Sequence, residues 1–264
     1  GELRRQEILF AVDNLALSPD GGRLIRCSWD HLDIWDVAEN RCLLDVGDRV
    51  PLLAVTPDCY RALTGGYDQT VRLWDLHEGN LITEWTAELE QVTALAISPD
   101  SAWGLVGEDE MKVEPAADGS GMVMKRSSVV SRVDFVTGEY VDFYGSDCID
   151  RLVIVGDGRR GLFLGARGIE VWDIAEGNRL HSMPGGGDVA MCADGRFGIT
   201  GYETNVRVLD IETGEMCMDF TGHVEGITKV AITPDGRTAV SGSEDGVVKV
   251  WKLDWEYEFP NLVD

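Results

Sequence analysis

Four histidines, His31, His77, His181 and His223, are the side chains of this 264-residue chain suited to ordinary acid-base work near neutral pH. None recurs with a partner at metal-ligand or triad spacing. The densest local grouping is Asp30-His31-Leu32-Asp33, where a tight turn would bring two carboxylates and an imidazole together. With 47 Asp and Glu in the chain, such a grouping reads as a solvated turn. No GxSxG, HExxH, phosphate loop or helix-backed GxGxxG occurs. Gly185-Gly186-Gly187 has no helix behind it and reads as a flexible connection rather than a phosphate cradle. Six cysteines, Cys27, Cys42, Cys59, Cys148, Cys192 and Cys217, form no CxxC pair and read as reduced, mostly buried strand residues. The expectation is a chain with no catalytic residue, no metal ligand and no cofactor.

Charge narrows the partners. The 47 acidic residues against 23 Lys and Arg give a formal charge of −24. Tracking a phosphate backbone needs Lys and Arg to displace counterions, so nucleic acid is disfavoured as a partner, and an anionic membrane surface is disfavoured by the same repulsion. No run approaches the roughly 18 apolar residues of a membrane helix, and Gly1-Glu2-Leu3-Arg4-Arg5 lacks the apolar run of a signal peptide. The chain reads as soluble and cytoplasmic. Its first residue, Gly rather than Met, suggests a piece of a longer protein.

The elements that must position any site come from an internal repeat. Ser18-Pro19-Asp20-Gly21, Thr56-Pro57-Asp58, Ser98-Pro99-Asp100 and Thr233-Pro234-Asp235-Gly236 are its anchors, with weaker copies at Gly156-Asp157-Gly158 and Ala193-Asp194-Gly195. Positions 19, 57, 99, 156, 193 and 234 are then spaced by 38, 42, 57, 37 and 41 residues. Short β-rich runs such as Val71-Arg72-Leu73-Trp74 and Val247-Val248-Lys249-Val250-Trp251 are bounded by turn residues, and no helical stripe of useful length appears. Pro followed by Asp pre-sets a turn, and Gly79 and Gly214 suit tight turns with φ > 0. Each unit is a four-stranded antiparallel meander that cannot bury both faces alone, so the units must pack radially.

Trp35-Asp36, Trp74-Asp75, Trp172-Asp173, Gly222-His223 and the run Ser241-Gly242-Ser243-Glu244-Asp245-Gly246 leading to Trp251 resemble the WD-repeat β-propellers. The resemblance covers nearly the whole chain. It implies an all-β fold, a single closed β-propeller of six four-stranded antiparallel blades, with seven blades disfavoured by length. The blades fall at about 12–46, 50–86, 92–145, 149–184, 188–221 and 227–264. His223, Ser241, Asp245 and Trp251 match the family's structural tetrad, a buried hydrogen-bonded chain within one blade. Elsewhere Val133-Asp134 and Leu209-Asp210 replace Trp-Asp. Units one and four have shorter turns, around Asp30-His31 and Arg167-Gly168, and all of these departing blades are expected to rely on apolar packing. Two segments compete to close the ring. Residues 1–10 include Leu3 to Ile8, which aligns with the outer strand at Arg41 to Val46, while Asp254-Trp255-Glu256-Tyr257-Glu258-Phe259 alternates at period two. The tail also resembles the end of WD-repeat regions in large bacterial-type signalling proteins.

The enlarged third unit carries an insert, 108–126, in which Met111-Lys112-Val113 and Met122-Val123-Met124 flank a Gly/Asp/Ser-rich turn and read as an extended β-hairpin. Either it is a tolerated excursion, or Met111, Val113, Met122 and Met124 cover a partner. In the family this connection stands on the top face. The same face receives Trp29, Tyr67 and Tyr202, aromatic anchors of the kind interfaces use, together with Arg49, Arg151 and Lys229 near the inner strands. Asp13, Gln91, Asp150 and Asp188 fall beside them. The leading functional reading is a non-catalytic sensor or scaffold module of a larger signalling protein, binding a protein or peptide or another domain of its own polypeptide. The alternatives are a propeller hydrolase or lyase with carboxylates and a divalent metal at the channel, and a spacer docked on other domains of its own chain.

Overall fold

The computed structural model describes residues 14–18, 21–27, 32–46, 52–56, 58, 60–66, 68–87, 91–115, 121–143, 148–165 and 168–253. Among them there are six antiparallel sheets and no helix. The first sheet holds β1 Asn14–Leu17, β2 Arg23–Cys27, β3 Leu32–Asp36 and β4 Arg41–Val46. The second holds β5 Leu52–Val55, β6 Arg61–Gly65, β7 Thr70–Asp75 and β8 Asn80–Thr86, and the third β9 Gln91–Ile97, β10 Trp103–Pro115, β11 Met122–Asp134 and β12 Tyr140–Phe143. The fourth comprises β13 Ile149–Ile154, β14 Arg160–Gly165, β15 Gly168–Asp173 and β16 Asn178–Met183. The fifth comprises β17 Gly186–Met191, β18 Phe197–Tyr202, β19 Asn205–Asp210 and β20 Glu215–Thr221, and the sixth β21 Ile227–Ile232, β22 Thr238–Ser243 and β23 Val248–Lys252. Every sheet runs in chain order, an uncrossed meander.

Two kinds of carboxylate turn recur along the series. In the first, the Asp of Ser/Thr-Pro-Asp accepts from the preceding hydroxyl and from a backbone N–H two residues on: Thr56 Oγ1 donates to Asp58 Oδ1 at 2.5 Å, and the Tyr60 N–H reaches the same oxygen at 2.9 Å. Ser98, Asp100 and the Ala102 N–H repeat it, as do Thr233, Asp235 and the Arg237 N–H. In the second, the Asp ending the third strand of each of the first five sheets takes N–H groups from the residues that follow. Asp75 Oδ1 accepts from His77 and Glu78, both at 2.8 Å, and Asp134, Asp173 and Asp210 do the same. This is why Val133-Asp134 and Leu209-Asp210 keep the Asp where the Trp is gone. Gly79 and Gly214 close such turns at φ 70° and 75°, a region open to glycine.

Five apolar clusters fill the spaces between consecutive sheets. Ile25 and Ile34 meet Ala62 and Trp74; Leu63 and Leu73 meet Val106 and Val133; Leu105 and Phe143 meet Phe163 and Trp172. Leu164 and Val171 then meet Val189 and Leu209, and Ile199 and Val208 meet Val230 and Ala239. The second to fifth sheets therefore bury both faces against neighbours, and the first and sixth bury one each. Leu15 and Leu17 of β1 and Val248 and Val250 of β23, at the two ends of the series, stay exposed. Residues 1–13 and 254–264, which include both expected closing segments, lie outside the described residues.

Three local expectations need correction. The glycine run is not a loose connection: Gly186 begins β17, Gly185 is buried, and a side-chain carbon there would sit 2.7 Å from Ile169 Cδ1. The glycines let the chain pass close to its neighbour. Cysteines are not mostly buried among the described residues, since Cys192 is buried while Cys42 and Cys217 are exposed on outer strands. Units one and four do not rely on apolar packing alone, because buried carboxylates replace the missing polar partners, as described next.

Candidate functional site

Buried polar pairs fix the third strands, and their chemistry differs between sheets. In the sixth, the Trp251 indole donates to Ser241 Oγ at 2.9 Å, Ser241 meets His223 Nε2 at 2.8 Å, and His223 Nδ1 meets Asp245 Oδ2 at 3.0 Å. Asp245 only accepts, so Nδ1 carries the proton and Nε2 takes the serine hydroxyl. Asp245 has its carboxyl pulled down to about 2: burial opposes this, and the Val247 and Val224 N–H groups and His223 outweigh it. In the second sheet Trp74 donates to Thr64 Oγ1 at 2.8 Å. In the first, Trp35 donates to Asp33 at 3.0 Å, and Asp33 also holds the Arg26 guanidinium. In the fourth, Trp172 donates to Glu170 at 3.0 Å, and Arg179 reaches the other oxygen at 2.7 Å. Asp33 is thus a buried structural acceptor rather than part of a solvated turn. A carboxylate two positions before the Trp, with an Arg on a paired strand, was the overlooked signal.

In an uncrossed meander the incoming chain and the turn between second and third strands lie at one end, here called the top. The insert rises from that end. β10 and β11 pair without a break from Trp103 opposite Asp134 to Pro115 opposite Met122, while β9 ends at Gln91 opposite Asp109 and β12 at Phe143 opposite Val130. Beyond those points the arm is a two-stranded ribbon. Met111, Val113 and Met122 are 48%, 59% and 64% exposed. Met124 stands in register opposite Val113. Alternation places Met111 and Val113 on the strand face that carries Leu105, which packs against the fourth sheet. At the arm's base Asp109 is buried and bonded to the Ser128 hydroxyl.

Side chains of β5, β9, β13 and β21, the first strands of four sheets, line a half-open cavity of about 330 Å³ whose lining includes Leu53, Thr93, Asp150, Arg151 and Lys229. Asp188, 5% exposed, links three inner strands: it pairs with Arg151 of β13, accepts from the Val230 N–H at 3.1 Å, and lies 3.9 Å from Lys229 Nζ. Burial draws the Arg151 guanidinium below its usual range. Tyr202, at the fifth sheet's top turn, lies under the Arg207 guanidinium at 3.9 Å. The structure therefore sets Arg151 and Lys229 on one cavity, with Asp188 buried against them, and places Tyr202 apart on its own sheet. Trp29, Tyr67, Arg49 and Asp13 lie outside the described residues. Among the described residues no group of three or more His, Cys, Asp or Glu could hold a metal ion. His77 contacts Glu78, and His181 donates to the Glu212 carbonyl, neither in the cavity. No helix among them is long and apolar enough to cross a membrane.

Two stretches match the WD domain, G-beta repeat model. They are residues 48–75 and 214–252. The chain is 22% identical over 280 residues to mouse (Mus musculus) Striatin-3, covering 92% of this chain and 34% of that protein. It is 24% identical over 192 residues to Autophagy-related protein 16 of Arabidopsis thaliana, covering 71% of this chain and 35% of that protein. It is 33% identical over 104 residues to Protein groucho of Drosophila melanogaster, covering 38% of this chain and 14% of that protein. The chain thus spans about a third of the first two relatives named. These relatives give no support to the bacterial-type expectation.

Proposed function

We propose that this chain is a non-catalytic WD-repeat propeller that binds a protein or peptide at its top end, as one module of a larger protein. The observation that carries the reading is the arm: a two-stranded ribbon holding Met111, Val113 and Met122 in solvent. Apolar side chains held away from any core cost solubility, and a partner's surface is the use that offsets the cost. The matches to a repeat model and to repeat-bearing relatives support a binding role, and a rigid ring of strands suits it. Ring closure at the exposed seam between β1 and β23 belongs to the same reading, with either 1–10 or 254–259 as the closing segment. Deleting the segment that closes it destabilises the chain, and deleting the other does not.

The test is capture of a cognate partner by the wild-type chain and by two groups of variants. Trp29→Ala with Tyr67→Ala, and separately Met111→Ser with Val113→Ser, weaken capture. Val136→Glu, on an exposed turn at the opposite end, leaves it unchanged. Capture lost only in Val136→Glu would refute the top-end assignment.

A further inference from the structure

We propose that the arm takes an extended peptide segment as an added β-strand, on the open edge of β11 between Met122 and Val129, with apolar residues at every second position of that segment. The inference rests on the top-end binding reading and specifies how the partner is held.

An edge strand states the chemistry of its occupant, because its unpaired backbone N–H and C=O groups are completed by another strand. β11 pairs with β10 along its whole length without a bulge, but with β12 only from Val130 opposite Phe143 to Val133 opposite Tyr140. From Met122 to Val129 that second edge meets no strand among the described residues. The open stretch is twice as long as β12, the four-residue strand that the molecule itself sets on the same edge lower down. In an antiparallel pair every second residue turns both backbone groups away from the partner, so about four of these residues offer N–H and C=O outward. The stretch holds neither Pro nor Gly, the residues that interrupt a ladder. The arm's other edge is less suited, since β10 ends at Pro115, which has no N–H to give.

The faces of the ribbon specify the side chains. Residues opposite each other in an antiparallel pair share a face, so Met124 opposite Val113 and Met122 opposite Pro115 lie on the face of Met111. Met111, Val113 and Met122 are exposed. A strand added beyond β11 widens this face by one row, and its alternate residues fall beside Met122 and Met124. Apolar side chains there bury methionine surface, and methionine adapts to varied shapes. Main-chain pairing then gives affinity and the alternate side chains give selectivity.

A second copy of the chain fits this edge less well. Two copies paired antiparallel about the middle of the stretch set Lys125 of one opposite Arg126 of its partner, and like charges directly opposite are destabilising. Each chain also carries −24, which repels its like.

The test joins fluorescence anisotropy, using a short labelled peptide that alternates Leu and Ser, with residue-resolved hydrogen exchange of the full chain. In the free chain alternate amides from Met122 to Val129 exchange fast, and bound peptide protects them. N-methylation of the peptide's Leu nitrogens, or separately of its Ser nitrogens, weakens binding about tenfold or more for one set and less than about twofold for the other, because only one set faces the arm. Met122→Ser with Met124→Ser weakens binding about fivefold or more, circular dichroism confirming that the variant folds. The methylated peptides leave the protein untouched, so their result stands whatever the variant does to the arm. Outward amides already protected in the free chain, by its own segments or by self-association, would overturn the inference. So would equal effects of the two methylations, indifference to the methionine variant, or no binding of the peptide. Capture of a cognate partner that still depends on Met111 and Val113 would leave the top-end reading standing after such a result.

Discussion

Replacing Asp188 by alanine should destabilise the chain by about 2–4 kcal/mol, two contributions being lost together. The Val230 N–H, on a buried residue, loses the carboxylate oxygen that accepts it at 3.1 Å, and an unsatisfied buried N–H costs about 1–3 kcal/mol. Arg151 loses its carboxylate partner as well. Breaking a fully buried ion pair costs about 3–5 kcal/mol, but Arg151 is 40% exposed and water compensates it, which reduces that share to about 1 kcal/mol. Asp188→Asn keeps an acceptor for the Val230 N–H and should cost about half as much. Lys229→Met, removing an exposed ammonium 3.9 Å away, should cost less than about 0.5 kcal/mol. Urea unfolding followed by tryptophan fluorescence orders the variants. An Asp188→Ala chain within about 0.5 kcal/mol of wild type, or no less stable than Lys229→Met, would refute the view that this carboxylate pins three inner strands.

Other perturbations follow from the same structure. Asp33→Ala and Glu170→Ala each strand a tryptophan indole and an arginine and should cost about 1–3 kcal/mol, whereas Glu170→Gln keeps the indole acceptor and costs less; thermal unfolding measures both. Asp245 is depressed from 3.8 to about 2, so its contribution is complete above pH 4 and is lost as pH falls from about 4 through 2. Asp100 and Asp235, held low by the Ser98 and Thr233 hydroxyls first, lose theirs below pH 4 as well. Acid titration of the melting temperature should show a steep fall there, shallower in Asp245→Asn. Met111→Ser with Val113→Ser should leave the melting temperature unchanged, since neither side chain supports the core.

The architecture was legible in the repeat because turn chemistry is local. Thr-Pro-Asp and Trp-Asp mark positions where a carboxylate must cap backbone N–H groups, and the structure uses Asp58, Asp100, Asp75 and Asp173 for that task. The arm was legible for a similar reason, since alternating Met and Val around a Gly/Asp turn has few other folds. What the sequence hid were pairings across strands. Asp33 looked like one more surface acid among 47, and only the register that sets Arg26 opposite it explains its burial. The Arg151–Asp188–Val230 connection joins three sheets through residues far apart in sequence, which no local pattern encodes. Gly185 was misread because composition alone does not distinguish a mobile glycine from one pressed against Ile169.

Hydrogen exchange of the chain, free and bound to a captured partner, tests the central claim most directly. The account predicts added protection in β10 and β11 beyond Asp109 and at the starts of β13 and β21, with none in the turns around Asp58, Asp157 and Asp235. Protection confined to those opposite-end turns, or to the outer strands β4, β8, β12, β16 and β20, would contradict it.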